Sequence, residues 1–208
     1  MIVAIAGPIG VGKSTVAKLL AQQLGYRYIS GGEVFHDIAR QRGISLTDVN
    51  KLAERDSSLD HEVDRRQREL AQRGDCVVES RLSGWMVEAD LKVWLKAPSQ
   101  IRAERVAARE GRPVAAAQAE LVERERSEWA RYEQLYRINV DDLSPYHLVI
   151  DTTKWSAEAI AQALVGFVGA TPKIARPGAR KQSPRAGSRG RTRLRGSTGR
   201  GPRSGKRR

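Results

Sequence analysis

The sequence predicts an α/β domain of five parallel strands sandwiched between helices, with a helical insertion and a basic C-terminal tail. Three observations carry that prediction. Short apolar runs alternate with segments of helical character, the pattern of a parallel sheet covered on both faces. The first run leads through a glycine-rich loop, GPIGVGKST, into an amphipathic stretch. The charge is also unevenly divided: residues 1–170 hold 23 Lys and Arg and all 24 Asp and Glu, whereas residues 171–208 hold 14 basic groups and no acid. The net charge of +13 thus describes a tail on a nearly neutral domain, and 208 residues suit one domain with an appendage.

The elements follow in order. IVAIA (2–6) reads as a buried strand, and Val16, Leu19, Leu20 and Leu24 form the stripe of a packed helix behind the loop. Between them Gly7, Pro8, Ile9, Gly10, Val11, Gly12, Lys13, Ser14 and Thr15 contain G-x-x-x-x-G-K-[ST], the P-loop spacing. Its glycines turn successive backbone N–H groups onto a polyphosphate. Lys13 then reaches the β/γ oxygens of ATP and Ser14 holds Mg²⁺, so the fold class is a P-loop NTPase. YRYI (26–29) is the second strand, followed by SGGE and by the helical segments EVFHDIARQRG and LDHEVDRRQRELAQRG, the latter capped at Gly74. CVVE (76–79), with Cys76 as a buried thiol, is the third and leads into SRLSGW. LKVWL (91–95) is the fourth and opens into a charged stretch, 99–138, with little apolar periodicity, read as a helical lid beginning near Ser99. HLVID (147–151) is the fifth, and Ser156 caps a last helix through Ile160, Leu164 and Val168. The folded unit spans residues 1–170. From Thr171 onward Gly, Pro, Ser and Arg dominate, and such a segment is expected to be disordered.

In a sheet of this kind the ligand sits beyond the carboxyl ends of the strands. Within the lid, Arg102, Arg105 and Arg109 share one helix face, and Arg124, Glu128 and Arg131 share another. Two readings stay open: guanidinium stripes facing the P-loop, or ion pairs of Glu120, Arg124, Glu128 and Arg131 on a solvated helix. Trp94 and Trp155 read as core or wall, while Trp85 is balanced between structure and recognition. Asp60 and Asp64 read as ion-pair partners of Arg68, and Asp151 as a brace of its loop. One cysteine excludes an internal disulfide, and the spacing offers no metal cluster. No run suits a signal peptide or a membrane span, so a soluble, cytoplasmic protein without membrane contact is expected, acting as a monomer.

ISGGEVF, DRRQREL, VESRLSGWMVEADLKVWLKAP, RAERVAAREG with RERSEWARY, and DDLSPYHLVIDTTKWS together resemble the archaeal-type cytidylate kinases. Through them the chain is similar to the adenylate-kinase-like nucleoside monophosphate kinases, over residues 1 to about 169. The resemblance implies phosphoryl transfer from ATP·Mg²⁺ to CMP and dCMP in pyrimidine nucleotide metabolism. It implies that Ser30 and Gly31 line the acceptor pocket and that Arg81 contacts the acceptor phosphate. Arg105 and Arg109 match the R-x-x-x-R that meets ATP. Arg124, Glu128 and Arg131 match R-x-x-x-[DE]-x-x-R, whose arginines clamp the transferred group and whose acid faces the acceptor nucleoside. No general base is required, because the attacking phosphate oxygen is already ionised. Where these kinases place an arginine after SGGEVF, this chain has His36. Two alternatives stand beside this reading: a monophosphate kinase for AMP or UMP, and an RNA-associated P-loop ATPase working through the tail. In either case the tail's charge suits non-specific RNA binding.

Overall fold

The computed structural model describes residues 1–43 and 56–174; the tail expected to be disordered lies outside them from residue 175 on. Strand β1 (Ile2–Ala6) is buried at every position and forms the centre of the sheet. It pairs in parallel with β3 (Cys76–Glu79) on one side and β4 (Leu91–Lys96) on the other, Val3 standing opposite both Val77 and Leu91. The outer strands are β2 (Arg27–Ser30) and β5 (Leu148–Asp151), giving the order β2-β3-β1-β4-β5. Each strand lies within a residue or so of the apolar run that announced it.

A strand covered on both faces must be apolar at every residue, and IVAIA is. Val3 and Ile5 pack with α1 (Lys13–Leu24) and α7 (Ala157–Ala170) through Val16, Leu20, Ile160 and Leu164. Ile2 and Ala4 turn to the opposite layer, against Ile29, Ala71, Val78 and Val87. Helices α2 (Gly31–Arg42) and α3 (Ser58–Ala71) pack together after β2. α3 stops at Ala71, three residues short of the expected cap. Gly74, with φ +76, instead closes the following turn by donating to the Ala71 carbonyl at 2.9 Å. One short turn, α4 (Ser83–Met86), follows β3. Ser156 caps α7 as expected, its hydroxyl accepting from the Ala159 N–H at 3.2 Å.

The charged stretch folds as α5 (Ser99–Glu110) and α6 (Val114–Tyr136), divided at Gly111 and Pro113. Its core is built largely from alanine: Ala103, Val106, Ala107, Ala117 and Leu121 pack on Ile9. Alanines carry little apolar contrast, which is why the stretch looked aperiodic. Among the described residues no helix is long and apolar enough to cross a membrane. Every βα connection reaches the carboxyl edge of the sheet, so the P-loop, the start of α2, residues 80–82, the start of α5 and Thr152 converge there.

Candidate active site

A cleft of about 1080 Å³ opens at this edge. Its floor is the P-loop. Gly10, with φ +75, is pressed against α5: a Cβ there would lie 2.7 Å from the Arg102 carbonyl oxygen, so only glycine lets the loop approach. Ile9 is held at both ends of its peptide. Its N–H donates to Glu125 Oε1 at 3.3 Å, and its carbonyl accepts from Arg102 Nη1 at 3.0 Å. Arg102 and Glu125 are buried and paired with each other, Nη2 to Oε2 at 3.1 Å, and Arg102 Nε also donates to the Ala97 carbonyl. Arg102 thus leaves the stripe it shares with Arg105 and Arg109 and works behind the loop.

Lys13 is buried, and its Nζ donates to the Pro8 carbonyl at 2.7 Å. Burial, reinforced by the Arg81 charge, holds its pKa well below the ordinary lysine range. Ser14 Oγ donates to Glu79 Oε1 at 3.1 Å, and the same oxygen accepts from Tyr28 at 3.1 Å and Ser30 at 2.6 Å. Glu79 ends β3 and is the carboxylate that sequence reasoning missed; its place at the carboxyl end of an inner strand was the available signal. Mg²⁺ bound together with phosphates needs only one or two protein oxygens. Ser14 and Glu79 are such a pair, and among the described residues no cluster of three or more His, Cys, Asp or Glu could hold a metal.

At one end of the cleft Arg105 donates to Thr152 Oγ1 at 2.8 Å and to the Thr152 carbonyl at 2.7 Å. Thr152 Oγ1 in turn donates to the Val11 carbonyl at 3.2 Å. Arg109 is mostly exposed, beside Glu110, and lines the same end. Of the two expected roles, Trp94 takes the core and Trp155 the wall: it is 64 % exposed and faces the cleft, because the turn after β5 carries it past the sheet. Asp151 braces that turn by accepting from the Thr153 N–H at 2.9 Å.

At the other end Arg81 Nε donates to Glu128 Oε2 at 2.7 Å. Burial works to raise the Glu128 pKa, but the adjoining Arg81 guanidinium outweighs it and holds the carboxyl below the usual range. Arg124 lies 3.6 Å from Glu120 and 3.8 Å from Glu128, the i,i+4 pairs of the solvated-helix reading. That reading fails for the rest of the face. Glu128 is reached across the cleft by Arg81, and Arg131 stands 2.9 Å from Asp60 on α3 while covering the Tyr132 ring. Asp60 and Asp64 also find partners on α6, since Tyr136 donates to Asp64 at 2.6 Å, while the charge of Arg68 still favours the Asp64 carboxylate. Burial raises the Asp60 pKa to about 6 against the opposing pull of Arg131. Ser30 and Gly31 line this end; Ser30 Oγ also accepts from the Glu33 N–H at 3.3 Å, starting α2. His36 lies in α2, and its side chain falls outside the described residues. Lys13, Ser14, Thr15, Arg81, Arg105, Arg109, Arg124, Glu128 and Arg131 all face the one cleft, while Gly7 is pressed against the Leu95 carbonyl and Pro8 accepts from Lys13.

The model of the cytidylate kinase-like family matches residues 2–154. A cytidylate kinase of Halobacterium salinarum is 47 % identical over 173 residues, covering 82 % of this chain and 90 % of that protein. One from Methanocaldococcus jannaschii is 42 % identical over 165 residues, covering 77 % and 93 %, and one from Pyrococcus horikoshii 40 % over 183 residues, covering 88 % and 95 %. Among solved structures, the shikimate kinase from Acinetobacter baumannii in complex with shikimate shares the fold at a TM-score of 0.52 and 21 % identity, over 81 % of this chain and 93 % of that one. TT1252 from Thermus thermophilus does so at 0.55 and 23 %, over 83 % and 98 %.

Proposed function

The chain belongs to the cytidylate kinase-like family, and from that premise we propose that it transfers the γ-phosphoryl group of ATP·Mg²⁺ to CMP and dCMP, releasing ADP and the nucleoside diphosphate. The observation that carries this reading is the convergence of a P-loop and five guanidinium groups on one cleft with a second, polar end. A cleft of about 1080 Å³ has room for a donor and an acceptor nucleotide together. We further read the protein as a cytoplasmic monomer of pyrimidine nucleotide metabolism, its site being built within one chain.

Transfer between two phosphates is mainly positioning and neutralisation of charge. An acceptor phosphate oxygen attacks the γ-phosphorus, the bond to the β,γ-bridging oxygen breaks, and the charge moves onto ADP. Lys13 leaves the Pro8 carbonyl for the β/γ oxygens, where their negative charge favours its protonated form. Ser14 and Glu79 would hold Mg²⁺, which would supply charge neutralisation at the phosphates. Arg81 takes the acceptor phosphate, Arg124 and Arg131 flank the transferring group, and Glu128 orients Arg81 and meets the acceptor ribose. Arg109 swings onto the ATP phosphates. Thr152 holds Arg105 through Nη1 and Nη2, which fixes the plane of the guanidinium and lets it offer its flat face to adenine.

A coupled assay across CMP, dCMP, UMP, AMP and GMP tests this. ADP formation that requires CMP or dCMP supports it; preference for AMP or UMP, or equal ADP formation without any monophosphate, overturns it.

A further inference from the structure

Helix α3 turns Asp60, Asp64 and Gln67, at i, i+4 and i+7, toward the acceptor end of the cleft. Gln67 is 1 % exposed, and its Oε1 has no hydrogen-bond partner. The Ser80 hydroxyl is likewise buried and unpartnered. The two meet around Gly31, where a Cβ would lie 2.5 Å from Gln67 Nε2 and 2.8 Å from Ser80 Cβ, so the absence of a side chain there keeps both groups at the cleft. A buried amide oxygen without a partner is costly to keep. Its neighbours along the helix add only acceptors: Asp64 Oδ2 already takes the Tyr136 proton, and Asp60 Oδ2 stands 2.9 Å from Arg131 Nε without the alignment of a hydrogen bond.

We propose that Gln67 is the specificity-determining residue for the acceptor base, its Oε1 accepting the exocyclic amine of cytosine while the Ser80 hydroxyl donates to a ring acceptor on the same edge. This rests on the CMP reading given above. A free carboxamide turns over to suit either cytosine or uracil. Here Asp60 and Asp64 on the same helix face bias the choice, because they add acceptors and negative charge to this end of the cleft and so favour a base edge that brings a donor over one that brings a second carbonyl oxygen. A site built around an amine rejects the analogue that lacks it, since the buried acceptor is then left unpaired.

The experiment compares CMP, UMP and the monophosphate of the 4-deamino base (2-pyrimidinone) as acceptors for the wild type and for Gln67→Met. In the wild type kcat/KM should fall about 10- to 100-fold or more when the amine is removed. In Gln67→Met the CMP value should drop to that of the deamino acceptor, with the KM for ATP unchanged and UMP little affected. Equal use of CMP and the deamino acceptor by the wild type overturns the proposal, and so does a folded Gln67→Met that keeps the CMP preference. If that variant does not fold, Gln67→Glu, which keeps the shape and an acceptor oxygen, carries the assignment. It should retain CMP and lose residual UMP turnover, and an equal loss on both would contradict it. A wild type that ignores CMP altogether counts against the proposed function instead, before Gln67 is altered.

Discussion

Lys13 has the most to change when substrate arrives, since it is buried, held on the Pro8 carbonyl and depressed in pKa. Lys13→Ala should lower kcat by about 10²- to 10³-fold, the scale of a lost transition-state donor, while its melting temperature stays at the wild-type value or rises, because a buried charge has gone. Rate and thermal melt on one sample check both. Arg81→Ala should raise the KM for CMP far more than that for ATP and also lower stability, because Glu128 is left in the cleft wall without its partner. Adding Glu128→Gln should recover part of the melting temperature and none of the KM. Asp60 gives a pH signature. Its folded pKa is raised, so its stabilising term is complete below the ordinary aspartate range and is lost as pH rises through about 6. The melting temperature of the wild type relative to Asp60→Asn should therefore decline between pH 4 and 6 and be level above 7, as paired melts would show. At this scale the P-loop residues were legible because their spacing is local. Glu79, Gln67 and the partners of Asp60 were not, since each acquires its role from residues distant in the chain.

The two lid helices show what periodicity tells and what it omits. Arg102, Arg105 and Arg109 share a face, yet along that face burial runs from 7 % exposure at Arg102 to a mostly exposed Arg109. Spacing gives the face, and only packing gives the depth. The expected lid ran from 99 to 138, but both its ends are fastened to the body. Arg102 and Arg105 hold α5 to Ile9 and Thr152, and Glu125, Glu128, Arg131 and Tyr136 hold α6 to the P-loop, Arg81 and α3. Val106, Ala107, Ala117 and Leu121 also pack on Ile9, so the part of the stretch without such a hold is the tip around residues 108–116. Glu125→Ala, which strands buried Arg102 and frees the Ile9 N–H, should cost about 3–5 kcal/mol of stability and raise the KM for ATP more than that for CMP. Denaturant melts and two-substrate kinetics read the two effects separately.

Across the whole molecule the strands and the order of elements were legible because each strand is a short run rich in apolar residues between polar segments, even where, as in β5, the strand itself is only partly buried. The exposed placement of Trp155 was not, because an aromatic after a strand carries no mark of which side of the turn it takes. Ile174, beyond the boundary drawn at 170, donates its N–H to Asp90, so the natural cut for separating kinase and tail is after residue 174. Deleting residues 175–208 removes 13 of the 14 tail bases and no acid, and should leave CMP turnover intact while abolishing salt-sensitive RNA binding in filter titrations. RNA binding that survives the deletion would place it elsewhere in the chain. The central claim is that the phosphoryl group goes to a cytidine monophosphate and not to water, and it is tested most directly by following label from γ-labelled ATP with the full-length protein. The account predicts label in CDP when CMP is present and almost none in inorganic phosphate when it is absent; label released as phosphate at the same rate with and without CMP would contradict it.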